Sequence, residues 1–68
     1  MVTFYVVKDY GKLENVFQLS TLRMTNDEGE FDDVTNAIDV GVIFSDDEEL
    51  KNYLSKVFKI NEDIQIVD

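Results

Sequence analysis

The chain has no histidine and no cysteine, no proline and no tryptophan, and three isolated glycines in 68 residues. Without histidine or cysteine, neither a Ser-His-Asp nor a Cys-His arrangement can be assembled. Disulfides and zinc-thiolate sites are excluded too, and nothing points to an oxidising compartment. Gly11, Gly29 and Gly41 stand apart, so there is no Gly-rich phosphate loop. No apolar run approaches 18 residues and no basic-then-apolar leader opens the chain, which predicts a soluble, cytoplasmic protein. Basic residues are also scarce, six against fifteen acids.

What is present suffices for one small domain over residues 1–68. A chain of this length buries only about 60% of its unfolded surface. Apolar residues make up 44%, with five Phe and three Tyr. That content favours a folded core over disorder, whose hallmark is poverty in aromatic and β-branched residues. Small cores often gain stability by association, and a homodimer is a reasonable expectation.

The clearest helical signal runs from Ser45 to Phe58. Leu50, Tyr53, Leu54, Val57 and Phe58 fall at i, i+3, i+4, i+7 and i+8, one apolar stripe. Ser45 and Glu48 have capping-box spacing, and Asp46, Asp47, Glu48 and Glu49 place negative charge at the positive end of the helix dipole.

The rest reads as strands. Val2–Val7 (VTFYVV) is β-branched or aromatic on both parities, as expected of a strand covered on both faces, central or at a subunit contact. Asp9-Tyr10-Gly11 supplies a turn. In Leu13–Thr25, Leu13, Phe17 and Leu19 are odd whereas Leu22 and Met24 are even. A strand changes inward parity only through an extra residue, which predicts a bulge near Ser20-Thr21. Asn26–Asp33 is turn-like, with Phe31 as its anchor. Val34–Phe44 alternates again, with Val34, Ile38, Val40, Val42 and Phe44 on the face expected to meet the helix, and Gly41 marking a bend. Ile64–Val67 forms a last strand. The expected fold is α+β: a small antiparallel β-meander with one amphipathic helix packed on it, in the order β-β-β-α-β.

The charge is the unusual feature, with a net of −9. From Met24 to Leu50 there is no base, yet ten acids lie there: Asp27, Glu28, Glu30, Asp32, Asp33, Asp39, Asp46, Asp47, Glu48 and Glu49. Carboxylate pairs can do acid–base chemistry only in a cleft that separates their pKa values, and a domain this small, with acids on turns and a helix end, argues against an enzyme. An EF-hand with Gly29 as its glycine would need Met24 and Thr35 as ligands, so no calcium loop is present. No cofactor or metal site is expected. Such a chain repels nucleic acid and anionic membrane and attracts basic surfaces. For Asp46–Glu49 alone, helix-end electrostatics are a sufficient explanation; the long base-free span is not covered by it. Like charges within about 8 Å of one another cost stability, and a basic partner would offset that cost.

A tiny, cysteine-free, acidic α+β chain with the runs DEGEFDD and DDEE resembles the small phage-type DNA-mimic proteins. That class blocks bacterial DNA-binding proteins such as the nucleoid protein HU, sliding clamps, repair glycosylases, restriction enzymes or CRISPR nucleases. The resemblance is to a charge strategy and specifies no residue. It implies a phage-encoded inhibitor acting in host takeover, in the host cytoplasm or nucleoid, with the ten acids named above standing in for phosphates. Its partner would be a basic DNA-binding protein (nucleoid protein, clamp, nuclease or repair enzyme). Two alternatives remain: a structural or protein-interaction module contacting its partner through Val2–Val7 or through Tyr5, Tyr10 and Phe31, and an immunity- or antitoxin-type inhibitor shaped to one toxin.

Overall fold

The computed structural model describes every residue except Leu13, Asn26 and Asp27. Four strands form one sheet in the spatial order β3-β2-β1-β4, with a single helix before the last strand. They are β1 (Val2–Asp9), β2 (Gln18–Thr25), β3 (Phe31–Asp33) and β4 (Ile64–Val67), and the helix α1 spans Asp47–Val57. The fold is α+β in the expected order, and the sheet is mixed. β1 pairs antiparallel with β2 but parallel with β4, Val2 opposite Ile64 and Tyr5 opposite Val67. The helix explains this departure from an antiparallel meander. Eleven residues at about 1.5 Å rise advance roughly 16 Å, about five residues of strand, so the chain re-enters the sheet at the end where β1 begins.

The parity slip in β2 is a bulge at the expected place. Val7 faces Thr21 and Lys8 faces Leu19, which leaves Ser20 as the extra residue. Leu19 and Leu22 consequently both point into the core, at 2% and 0% exposure. With them lie Phe4, Val6, Phe17, Phe44, Leu50, Leu54 and Ile64. Phe44 packs against Phe17 and Tyr53, ring centroids 5.8 and 5.3 Å apart. A two-way backbone bridge between Phe17 and Phe44 ties the segment entering the helix to the start of β2. Of the predicted apolar stripe, Leu50 and Leu54 are fully buried and Tyr53 and Phe58 partly so, whereas Val57 is exposed.

Three expectations are corrected. The predicted strand Val34–Phe44 is instead a 3₁₀ turn at Thr35–Ala37 followed by irregular chain, and the true third strand is Phe31–Asp33. Short polar side chains divert the backbone. Asp33 accepts from the Thr35 amide and hydroxyl, and Asp39 accepts from the Gly41 amide. The Thr35 hydroxyl also accepts from the Leu22 amide, taking over a ladder position from a strand. Val34, Ile38, Val42 and Phe44 still turn inward, but Val40 is half exposed. A Cβ at Gly41 would lie 3.2 Å from the side-chain Oδ1 of Asp39, which accepts from the Gly41 amide.

The second correction concerns the helix cap. Asp46, one residue later than Ser45, is the N-cap and accepts from the Glu49 amide at 2.9 Å. Glu49 reaches back past the cap to the amide and hydroxyl of Ser45, and the Asp46 cap contributes on the order of 1 kcal/mol. At the other end Lys59 adopts φ +55° and the Ile60 amide bonds to the Ser55 carbonyl, closing the helix with a residue in the position glycine usually takes.

Third, β1 is central in the sheet but, within this chain, is covered on one face only. Its even residues meet the helix, while Tyr5 and Val7 face outward. Phe31 does not anchor to the core; its ring meets Tyr5 edge-on across this open face, centroids 4.5 Å apart. Among the described residues, no helix is long and apolar enough to cross a membrane.

Candidate anionic interface

The carboxylates of the base-free span are placed by three local devices. A turn after β2 carries Glu28 and Glu30, with Gly29 between them at φ +80°. β3 carries Asp32 and Asp33 in register with Met24 and Arg23. The N-cap and first turn of α1 carry Asp46, Asp47, Glu48 and Glu49. Asp39 lies between β3 and α1 in the chain, its amide donating to the Tyr53 hydroxyl. All of these residues are exposed. Asp27 lies outside the described residues, as do the first apolar position of the second segment, Leu13, and Asn26 at the start of the turn.

These acids form two groups, at opposite ends of β1. The β2–β3 turn follows Thr25, whose hydroxyl donates to the Thr3 carbonyl, so it lies where β1 begins. The helix tip is at the other end, because Asp47 Oδ1 sits 2.8 Å from Lys8 Nζ. From Thr3 to Lys8 is five strand steps, roughly 16 Å at about 3.3 Å each. Asp32 and Asp33 line the sheet edge leading from the first group toward the second.

The span free of bases in sequence is not wholly free of them in space. Lys8, from β1, contacts Asp47 and also Asp68 at 3.2 Å, and its ammonium lies 4.7 Å from the centre of the Phe17 ring. Burial acts to lower the Lys8 pKa, but its bonds and attraction to Asp47 and Asp68 outweigh that and hold it above the ordinary lysine value. Arg23 stands opposite Asp33. No ion pair joins Lys51, Lys56 or Lys59 to Asp46, Asp47, Glu48 or Glu49 among the described residues. Sequence reasoning missed Lys8 as the neutralising group, because only the β1–α1 arrangement reveals it.

Several acids have structural duties besides their charge. Asp46 caps the helix, Glu49 holds Ser45, Asp39 holds Gly41 and Asp33 holds Thr35. The Thr35 hydroxyl and amide keep the Asp33 carboxyl below its usual pKa. A carboxylate with a depressed folded pKa stabilises the fold above its unfolded value and loses that effect as pH falls through the folded one. The stability gap between wild type and Asp33→Asn should therefore be constant above about pH 5 and shrink from about pH 4 downward. Thermal unfolding of both proteins between pH 6 and 2 measures it; a gap unchanged to pH 2 would refute the assignment.

No family model, curated protein or solved structure matches the chain.

Proposed function

We propose that this chain is a DNA-mimic inhibitor, a binding protein without catalysis that occupies the basic DNA-binding surface of another protein, such as the nucleoid protein HU, and keeps DNA out. The supporting observation is the arrangement of exposed carboxylates into two groups at opposite ends of the sheet, linked by the β3 edge. Two rows of phosphates flank a duplex major groove about 12 Å wide. Two carboxylate groups separated by roughly 16 Å along the strands fall on that scale. A general nucleoid protein suits such a ligand better than a sequence-specific one, since backbone charge alone has to be imitated. The protein itself would bind neither nucleic acid nor membrane, since like charges repel. Its place of action would be the cytoplasm or nucleoid of a bacterial host.

Immobilised protein should retain basic DNA-binding proteins from bacterial lysate at 50 mM salt, and added duplex DNA should release them. Raising salt to 500 mM should weaken retention steeply. Retention of nothing that DNA can displace would rule out the mimic.

A further inference from the structure

The register places a second, very different surface on the side of the sheet that α1 leaves open. Across the strands run Phe31, Thr25, Thr3 and Gln65, then Asp33, Arg23, Tyr5 and Val67, then Thr21 and Val7. Val7 and Phe31 are 55% and 54% exposed. The two charged residues of this face, Arg23 and Asp33, stand opposite each other, so it is a near-neutral island on a molecule of net charge −9. Acids bound it at the strand ends: Asp9 closes β1, Glu30 precedes β3 and Asp63 precedes β4.

We infer that this open face is the centre of the partner contact, receiving an apolar patch ringed by lysine and arginine on a basic protein. The inference rests on the proposed function and adds where the contact is centred. An apolar centre inside a charged rim is how specific interfaces are built. Charge selects the occupant. A second copy would bring a rim of the same sign against this one, whereas a basic partner matches it. Size agrees: four strands about 4.8 Å apart and about five residues deep give at most roughly 300 Å² in plan, well below the roughly 800 Å² per partner of a stable interface. The face alone is too small to hold a like-charged dimer, and needs the carboxylates beside it as part of the contact.

Amide chemical shifts of the isotope-labelled protein, titrated with purified HU, provide the test. Shifts at Thr3, Tyr5, Val7, Thr21 and Val67, together with the acids at the rim of this face, Asp9, Glu30 and Asp63, are the expected result. Tyr5→Ser combined with Val7→Thr keeps the net charge and should weaken HU binding about tenfold without changing its salt dependence. Shifts confined to Glu28, Glu30 and Asp46–Glu49 would overturn the central role of this face and leave the mimic reading standing. Shifts at the face on concentrating the protein alone would assign it to a second copy and overturn the inference. No shift with HU, together with no DNA-displaceable protein retained from lysate, would overturn both.

Discussion

Reversing Glu28, Glu30, Asp32 and Glu48 to lysine should weaken binding to a basic DNA-binding partner on the order of 100-fold and flatten its salt dependence. Each exposed ion pair lost is worth roughly 0.2–1 kcal/mol, and each reversal adds a repulsion of similar size. Four together give several kcal/mol, and about 1.4 kcal/mol is tenfold in affinity. The four sample the β2–β3 turn, β3 and the helix tip, and because Glu28, Glu30 and Asp32 have interactions of their own, the fold of the variant is measured alongside its binding. Asp33, Asp39, Asp46 and Glu49 hold turns and the helix cap, and Asp47 holds Lys8. Reversing those would mix folding with binding. Far-UV circular dichroism and thermal unfolding of the quadruple variant check whether the fold persists. A folded variant that binds as tightly as wild type would remove charge as the basis of recognition.

Leu54→Ala should unfold a substantial fraction of the protein at room temperature. Leu54 is fully buried on α1, and truncating such a leucine costs about 2–5 kcal/mol in lost transfer energy and a residual cavity. A domain of this size has a total of about 3–10 kcal/mol, and each kcal/mol moves the midpoint by about 4–8 °C. A fall of about 15–25 °C in Tm is expected. Val57→Ala, one turn on and exposed, should cost well under 1 kcal/mol. Equal losses at the two positions would mean the helix does not pack as described.

These two helix positions also show what the residues alone revealed. The 3.6-residue stripe identified the helix and its inner leucines, because a single helix on a single sheet leaves one solution for burying that stripe. The bulge at Ser20 was legible for a similar reason: parity cannot slip in a half-buried strand without an extra residue. Val34–Phe44 misled because its alternation is real and Val34, Ile38, Val42 and Phe44 do face inward, yet strand geometry needs a ladder. Asp33, Thr35 and Asp39 spend their side chains on local backbone bonds instead. The cap moved from Ser45 to Asp46 because both pairs, Ser45 with Glu48 and Asp46 with Glu49, have capping spacing. Composition revealed the base-free span but not its grouping, which depends on strand register and on Lys8 arriving from outside the span.

The open side of β1 is a related case. Apolar residues on both parities suggested two covered faces, but one helix of eleven residues can cover only one. The surplus apolar residues Tyr5 and Val7 were therefore left for a partner or for solvent.

The outermost strands of the sheet have one more consequence. β3 offers three residues, two of them aspartate, and β4 offers four before Asp68. Growth of fibrils by edge-to-edge stacking needs a longer, uncharged fringe on which another chain can template. With so little fringe, and with carboxylates on or beside it, the fold can leave an aromatic sheet face bare to water and still resist polymerising at high concentration.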